Sequence, residues 1–513
     1  MRKKLLYLLL IAAVTGCKKE SKQAVTPPVV STTDTTSVPI HFSLKAEYNP
    51  KKLGTDSVIF TTVGDSIFGV VPAMSNEKNF TLSFSPFNAD VKIGNQRQLS
   101  GMIAHDFTNP VTFTYTDKNG KVKDYKIKIS NFTGIPILNL TTTGPVVSKD
   151  NYVDGSLIVN ANGKYDVQAG SIDLQIKGRG NSTWDMPKKP YRLKFKNKAG
   201  MLGLPAAKNW VLLANYSDKT LVRNSIAFEM ARQFGSDYAP HGRYVEVFMN
   251  KEYLGSYTLC EQVEVNPGRV DITELKAKDN GADVITGGYL LELDQRLDAA
   301  KYFWSSQGLP FTIKSPDAIS DAQLAYISDY VNQTEKALFS ADFADADKGY
   351  AKFINVDSFI AWFLVKEIMK DSDAKDFSSD FYYKERGGKL GMGPVWDFDL
   401  SGGNTDYTDA GLPTGWWIKD SKWFSRLFQD PAFKAKVKAR WLVLKANAIP
   451  NIFASIDRGA AYLDLSQQQN FKKWDILGIY VWPNTYVGGT YPNEVNHLKE
   501  WLHTRIDWMD ANL

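Results

Sequence analysis

The feature that most constrains this chain is an acidic segment at residues 366–404, KEIMKDSDAKDFSSDFYYKERGGKLGMGPVWDFDLSGGN. An apolar helix end gives way to Asp371 and Asp373, and an aromatic strand with a Gly-Gly turn then leads to Asp397 and Asp399. If residues 396–399 continue as a strand, alternate side chains share a face, so these last two carboxylates point together while the aromatic residues between them point into the core. The segment therefore predicts a group of convergent carboxylates.

Carboxylates at a strand end are hard oxygen ligands that suit Mg²⁺ or Mn²⁺, which also take substrate phosphates as ligands. We predict Asp397 and Asp399 as the metal ligands, and a third carboxylate, Asp371 or Asp373, arrives from the preceding loop. The alternative interpretation is an exposed acidic turn beside a buried tryptophan. The pattern alone leaves both interpretations open.

Composition excludes several function classes. The 513 residues are 43% hydrophobic and 23% charged, which is typical of a globular protein with more than one domain. The net charge of +5 is small for this length and the basic residues are dispersed, so we expect no nucleic-acid partner. The five histidines are scattered and no Cys-x-x-Cys pair exists, which argues against a zinc site.

The N-terminus carries an export signal. A charged start and an apolar stretch too short to span a bilayer end at residues 14–17, Val-Thr-Gly-Cys, which resemble the lipobox of bacterial lipoproteins. Residues 1–16 are predicted as a lipoprotein signal peptide, Cys17 as the lipid anchor, and the Thr/Ser/Pro-rich residues 17–38 as a flexible tether. We therefore expect an exported lipoprotein held at the outer membrane or cell surface, in which Cys260 has no disulfide partner. A plain signal peptide is the alternative.

Residues 39–132 predict a first domain of short strands. Alternating apolar and polar residues recur, and a hairpin around Asp-Lys-Asn-Gly at residues 117–120 joins two of the runs. This spacing favours a β-sandwich, and the segment resembles small Ig-like modules of bacterial surface lipoproteins. It holds no catalytic constellation, so a spacer is expected, with contact to a glycan as the alternative.

A second domain is predicted over residues 133–513. It contains a Gly-rich turn followed by a basic strand, KGRGNSTWDMPKKPYRLKF, at residues 177–195. Glycines let a backbone approach a ligand closely, and Arg192 and Lys194 would share one face of the strand. The turn is not a Walker A loop, because the Gly-Lys-Ser/Thr helix start is missing. A phosphate cradle and a solvated basic hairpin both remain open.

Six motifs in order carry a family resemblance: residues 177–195, 221–227, 243–257, 260–263, 287–294 and 396–404. From about residue 135 to the C-terminus the chain resembles the CotH family, the spore coat protein H-type atypical kinases. The resemblance implies a two-lobed, α+β protein-kinase-like fold. It also implies that ATP and Mg²⁺ or Mn²⁺ are bound, and that serine or threonine of a secreted or surface protein is phosphorylated.

The resemblance also implies roles for particular carboxylates. Asp397 matches the metal-binding aspartate of a kinase's Asp-Phe-Gly segment, with Asp399 beside it. Asp373 is predicted as the catalytic aspartate and Asp371 is the alternative. The asparagine that usually follows a kinase's catalytic aspartate is replaced by Ser378, which leaves the second metal ligand open.

The predicted ATP-binding residues lie in two of the motifs and on a helix predicted over residues 221–234. Among them, Arg192 or Lys194 would contact the phosphates, Glu229 would pair with that cation, and the strand end at residues 261–263 would form the hinge beside adenine. The full set is Arg179, Asn181, Arg192, Lys194, Glu229, Glu261 and Val263.

The rest of the second domain predicts a helical lobe and aromatic loops. Residues 405–417 follow the metal motif directly, where a substrate-gating loop would lie. Loop aromatics such as Trp482 pack in most proteins, but they also stack on sugars or peptides. The expected helices are residues 322–337, 356–370, 423–428, 431–449 and 496–510.

Two function classes compete. The first is an exported phosphotransferase, favoured because a binding module does not need three convergent carboxylates. The second is a surface-anchored glycan- or protein-binding lipoprotein with an inactive kinase-like domain, favoured by the scarcity of ATP outside the cytoplasm. A glycosidase that uses two of the carboxylates is a distant third.

Overall fold

The computed structural model describes residues 39–53, 56–71, 79–131, 133–162, 164–167 and 170–513. The predicted signal peptide, lipidated Cys17 and tether lie outside the described residues. Across the part of the chain that is described, no helix has both the length and the apolar character needed to cross a membrane.

The N-terminal region is built from strands. They are β1 His41–Lys45, β2 Ser57–Ile59, β3 Thr61–Val63, β4 Ser66–Val71, β5 Asn79–Ser85, β6 Asp90–Ile93, β7 Gln96–Arg97, β8 Ala104–Asp106, β9 Val111–Thr116 and β10 Val122–Asn131. Four of them form a sheet in the order β2-β1-β5-β8, and six form a sheet in the order β3-β4-β10-β9-β6-β7. The sheets share one core, in which Phe42 and Phe113 lie 5.7 Å apart between ring centroids. The prediction of a β-rich N-terminal region is confirmed.

A closed seven-stranded barrel follows. Its elements are β11 Ile137–Thr142, β12 Val153–Asn160, β13 Ile172–Gly178, α1 Ser182–Asp185, β14 Tyr191–Met201, β15 Leu204–Leu213, α2 Arg223–Gln233, β16 Gly242–Met249 and β17 Glu252–Glu261. The strand order is β11-β12-β13-β14-β15-β17-β16, and parallel pairing of β11 with β16 closes the barrel. Every second residue of β13 is buried, because alternate side chains point inward in a barrel.

The remaining chain combines a five-stranded sheet with helices. The elements are β18 Tyr289–Leu293, β19 Tyr302–Trp304, β20 Pro310–Ser315, α3 Asp321–Leu338, α4 Val356–Met369, β21 Asp380–Lys384, β22 Leu390–Met392, α5 Lys422–Leu427, α6 Pro431–Asn447, α7 Ile449–Tyr462, α8 Asp464–Lys473 and α9 Tyr491–Asn512. The sheet order is β19-β20-β18-β21-β22. All five predicted helices are present with small shifts at their ends, whereas α7 and α8 were not predicted. The α+β character of the C-terminal region is confirmed.

Helix α4 forms the centre of this region. All twelve residues from Ser358 to Met369 are buried, as expected for a helix that is apolar nearly all round. The side chain of Asn355 accepts a bond from the Ser358 amide at its start, and Lys370 ends it in the left-handed conformation with φ 42°. The end of α4 thereby fixes where Asp371 begins.

The expectation that residues 396–399 form a strand is wrong. Strand β22 ends at Met392, and Pro394 then has no amide hydrogen to donate to a ladder. Asp397 has φ 65°, outside the strand region, and the Phe398 amide donates 2.9 Å to the side-chain oxygen of Asn224 instead of to a neighbouring strand. Contacts with α2, not strand alternation, therefore set the direction of this segment.

Candidate active site

A cavity of about 190 Å³ lies between the barrel and the C-terminal sheet and helices. The turn at residues 179–183 supplies one wall, and Gln262 and Val263 lie at the end of β17. Three cations line it, Arg179, Arg296 and Lys314. Seven carboxylates also line it: Glu292, Asp294, Asp298, Asp371, Asp373, Asp397 and Asp399. The predicted convergence of carboxylates from the 371–373 and 396–399 segments is present.

A buried ion pair fixes the base of the cavity. Lys366, on the last turn of α4, is fully buried and pairs with the buried Asp371 carboxylate. Its ammonium also donates 2.6 Å to the Trp396 carbonyl oxygen. One lysine therefore ties the 371–373 segment to the residue that precedes Asp397. Because Asp371 already has this partner, it is the less available of the two candidate catalytic aspartates.

Asp373 lies nearer to the open cavity. Its side chain is 19% exposed, and Arg296 contacts its carboxylate at 3.3 Å while donating 2.6 Å to the Ser378 hydroxyl. Burial raises the pKa of Asp373, the nearby Asp397 charge raises it further, and Arg296 opposes both. Asp373 is thus an oriented carboxylate that a substrate can still reach.

Asp397 and Asp399 meet the cavity from the opposite segment. Asp399 is buried and accepts a hydrogen bond from the side-chain amide of Asn224 on α2. Burial raises the pKa of Asp399, and the Asp397 charge raises it further. Asp397 has a long contact of 3.5 Å with the Ser379 hydroxyl, so its carboxylate is the less constrained of the two.

Two aromatic residues anchor this segment as predicted. Trp396 stacks on Phe228 of α2 at 5.7 Å between ring centroids, and Phe398 meets the same ring edge-on at 6.4 Å. The Arg179 guanidinium lies 5.6 Å from the Trp396 ring centroid. The predicted ligand residues Arg179 and Asn181 both line the cavity.

Arg192 and Lys194 are not among the residues that line the cavity. They lie on β14, where Arg192 pairs in register with Lys177 and reaches the Asn209 side-chain oxygen at 3.4 Å. Lys194 is exposed, and its ammonium lies 5.8 Å from the Tyr152 ring centroid. The basic strand was identified correctly, but alternation along β14 turns these two side chains away from the barrel core and from the cavity.

The predicted pairing of Glu229 with a basic residue of β14 is wrong. Glu229 accepts hydrogen bonds from Arg232 at 2.6 Å and from Gln233 at 2.7 Å, both within α2. Residues three and four positions apart on a helix are neighbours, so these partners satisfy the carboxylate locally.

The predicted hinge residues divide between two cavities. Val263 lines the main cavity and a small adjoining one, as Gln262 does. Glu261 lines only the small one, and its carboxylate accepts from the His241 amide at 2.9 Å. The backbone at residues 262–263 therefore borders the cavity, whereas the Glu261 side chain is turned toward His241.

Residues 405–417 are held firmly against the helices. The Lys370 ammonium donates to three carbonyl oxygens of this segment, those of Asp409, Leu412 and Thr414, at 2.7–2.9 Å. The buried Arg505 donates 2.7 Å to the Gly415 carbonyl oxygen. The segment lies beside the 371–373 loop, as expected for a substrate-side loop, but these bonds fix its position.

Several residues that line the cavity, or that hold its lining residues in place, were not predicted from the sequence. Asn224 and Glu292 lie inside quoted motifs, yet neither was assigned a role. Lys366 had a usable signal, because with Glu367 it interrupts the apolar residues of α4. Arg296 and Lys314 had no such signal in the sequence, because only the three-dimensional fold brings them to the cavity.

The described residues contain no group of three or more histidine, cysteine, aspartate or glutamate side chains arranged to hold a metal ion by themselves. The pair Asp397 and Asp399 and the Asp373 carboxylate line one cavity. A cation here would need oxygen ligands beyond those of the protein.

Comparisons with known proteins place the chain. Curated proteins gave no match. The family model described as CotH kinase protein matches residues 176–509, well over half of the chain, and this range contains every carboxylate of the cavity. The chain therefore belongs to the CotH kinase family.

Proposed function

We propose that this protein is an exported, membrane-anchored atypical kinase that transfers phosphate from ATP to serine or threonine of secreted or surface proteins. The observation that carries the proposal is the pairing of an oriented, reachable Asp373 with Asp397 across one cavity in a CotH kinase family domain. In this proposal the barrel and the C-terminal region act as the two lobes of a kinase-like fold, with residues 262–263 between them beside adenine.

The residues present fit a divalent metal. Asp397 and Asp399 would hold Mg²⁺ or Mn²⁺, and substrate phosphates would complete an all-oxygen ligand set, as these ions prefer. Burial raises the pKa of Asp399 and of Asp373, and the Asp397 charge raises both further, so a cation between these carboxylates would be favoured. The metal, when bound, neutralises charge that develops on the phosphates.

The polar residues around the carboxylates fit a nucleotide. Arg179 and Lys314 line the same cavity and would contact phosphate oxygens. Arg179 presents a forked set of donors to anions, and the side chain of Asn181 adds a donor on the same turn. Arg192, Lys194, Glu229 and the Glu261 side chain have no part in this arrangement, because they lie outside the main cavity.

The transfer step follows from the position of Asp373. The acceptor hydroxyl oxygen forms a bond to the γ-phosphorus of ATP, the bond from that phosphorus to the β–γ bridging oxygen breaks, and ADP leaves. The Asp373 carboxylate orients the hydroxyl and accepts its proton. Arg296 holds the carboxylate in place, and the Lys366–Asp371 pair holds the loop behind it.

The N-terminal region and the anchor complete the proposal. We assign the two-sheet region to an Ig-like spacer and Cys17 to the lipid anchor, so that the kinase domain stands off a membrane. Cys17→Ala should move the protein from the membrane fraction to the soluble fraction or block its processing. Unchanged fractionation would remove the lipoprotein assignment.

The test of the kinase assignment is Asp397→Asn, which keeps side-chain size and deletes one charge. Nucleotide binding, followed by thermal shift with ATP and Mg²⁺ or Mn²⁺, should become weak and insensitive to the metal, and phosphate transfer to a serine-rich acceptor should be lost. Asp420→Asn, an exposed change outside the cavity, serves as the control. Nucleotide binding by the parent with no transfer to any acceptor would favour the binding-protein alternative, and no nucleotide binding would reject a kinase.

A further inference from the structure

Three large aromatic side chains are exposed together beside the candidate active site. Tyr407 and Trp482 are 48% and 44% exposed, and their rings stack with centroids 5.6 Å apart and planes only 11° from parallel. Tyr480 is 54% exposed, and its hydroxyl donates 2.6 Å to the Asp406 carboxylate. We call Tyr407, Tyr480 and Trp482 the aromatic platform.

The aromatic platform is bonded directly to the 371–373 loop. The Ser372 hydroxyl donates 3.3 Å to the Tyr407 hydroxyl oxygen and lies 3.2 Å from the Thr408 hydroxyl. Ser372 is the residue immediately before Asp373, so a ligand on the Tyr407 ring lies next to the carboxylate that would receive the acceptor hydroxyl.

A further exposed aromatic residue contacts the arginine that orients Asp373. Phe377 is 41% exposed, and the Arg296 guanidinium lies 4.6 Å from its ring centroid. The same guanidinium contacts the Asp373 carboxylate at 3.3 Å. An exposed ring is therefore linked to Asp373 through Arg296 as well as through the 371–373 loop.

The backbone beneath the aromatic platform is fixed. The Asn484 side-chain amide donates 2.8 Å to the Ser217 carbonyl oxygen and 2.8 Å to the Asn404 side-chain oxygen. Residues 409–414 are held by Lys370 as described above. Large rings held in place and left facing water mark a surface that contacts a partner.

We propose that the aromatic platform is the docking site for the acceptor polypeptide, and that it selects an aromatic or proline side chain close to the phosphorylated serine or threonine. The proposal rests on the proposed kinase function. Flat rings offer apolar faces on which another ring stacks. The Asp406 carboxylate beside these rings already accepts a hydrogen bond from Tyr480, so the platform presents mainly ring faces to a ligand. A residue one or two positions from the acceptor reaches only about 4–7 Å along an extended chain, which suits a platform whose Tyr407 hydroxyl bonds to Ser372, the residue next to Asp373.

The experiment measures transfer to short peptides that differ only next to one serine. Peptides with tryptophan, tyrosine or proline near the serine should be phosphorylated by the parent with a kcat/KM about tenfold above that of the glycine peptide, the scale of one ring contact. Trp482→Ala should remove this preference through a higher KM with kcat retained. Trp482→Phe should keep most of it.

Two controls separate docking from damage to the nucleotide site. Affinity for ATP with Mg²⁺ and hydrolysis of ATP without acceptor should be unchanged in Trp482→Ala. Trp304→Ala, which removes a tryptophan that is 51% exposed on β19, should behave as the parent in every assay.

The outcomes distinguish this proposal from the kinase assignment. Transfer with equal efficiency to all the peptides, or a preference that survives Trp482→Ala, would overturn the docking proposal and leave the kinase assignment intact. Binding of oligosaccharides in place of peptides, lost in Trp482→Ala, would also overturn it. Nucleotide binding without transfer to any peptide would overturn both.

Discussion

Several lysines are buried almost completely among the described residues, and two of them, Lys366 and Lys188, have different surroundings. Lys366, at the cavity, pairs with the Asp371 carboxylate and the Trp396 carbonyl oxygen. Lys188, at the junction of the barrel with α8, donates only to neutral oxygens, the Ser256 carbonyl and the Asn470 side chain. Burial lowers the pKa of Lys188 to about 7.

The difference shows what each region needs. At the barrel junction Lys188 serves as a hydrogen-bond donor, and its amine can donate in the uncharged form as well. At the cavity the Lys366–Asp371 pair joins two loops that carry the carboxylates of the site. Burying an ion pair is a weak source of stability, but removing one partner is costly because the other charge is left uncompensated. The fold around the cavity is therefore expected to depend on this pair.

The largest effect is expected from Lys366→Met, which leaves the Asp371 carboxylate buried without its partner. We expect a loss of about 3–5 kcal/mol in the free energy of unfolding, measured by urea denaturation. The double variant Lys366→Met with Asp371→Leu should recover most of the loss, because no uncompensated charge remains. Equal stability of the single variant and the parent would show that the pair does not hold the loops.

The next effect distinguishes a carboxylate that holds a loop, Asp371, from one that takes part in phosphate transfer, Asp373. Asp373→Asn should bind ATP as the parent does but transfer phosphate about a hundredfold more slowly, the scale of one proton-transfer group. Its thermal stability should change little, since Arg296 contacts a carboxylate that is still partly exposed. If transfer is lost in Asp371→Asn and kept in Asp373→Asn, the catalytic aspartate is Asp371.

A smaller effect is expected for two basic residues of the barrel, one that lines the cavity and one that does not. Arg179→Ala removes a cation that lines the cavity, and we expect nucleotide affinity to fall about tenfold. Lys194→Ala, on the same barrel but outside the cavity, should change it less than about twofold. Isothermal titration with ATP and Mg²⁺ measures both. A larger loss of affinity in Lys194→Ala than in Arg179→Ala would assign the phosphate contact to β14 instead.

The smallest effect is a pH dependence at the barrel junction. The Lys188 pKa is near 7 when folded and 10.5 when unfolded, so the unfolded chain binds more protons between these values and stability rises with pH. Relative to Lys188→Met, the free energy of unfolding of the parent should rise by about 1 kcal/mol per pH unit between about pH 7.5 and about pH 9, measured by urea denaturation. A constant difference across this range would show that Lys188 keeps its ordinary pKa.

Much of the fold was accessible from local patterns. Hairpin turns and alternating runs located some of the strands in both regions, and long apolar periods located five helices of the C-terminal region. Helices α7 and α8 were missed. The predicted helix over residues 431–449 ends where α7 begins, at Ile449, and Pro450 in the first turn of α7 was not used as the start of a new helix.

The convergence of the carboxylates was predicted, but the geometry that produces it was not, and several of the predicted ligand residues lie outside the cavity. Asp373, Asp397 and Asp399 converge as expected, yet the strand invoked to align two of them does not exist, because Asn224 sets the direction of that segment. Arg192 and Lys194 lie outside the cavity because the turn at residue 179, and not the strand after it, reaches the ligand side. Such contacts join residues more than a hundred positions apart, and spacing along one sequence carries no information about them.

The bonds that fix residues 405–417 have a consequence for regulation. A loop that is ordered only when a substrate or a modification arrives acts as a switch, since ordering costs conformational entropy that the signal must offset. Here Lys370 and Arg505 supply that order from within the chain. Under the proposed kinase function, a loop built this way needs no activating event to become ordered. Turnover would then depend on the supply of nucleotide and acceptor rather than on rearrangement of this loop.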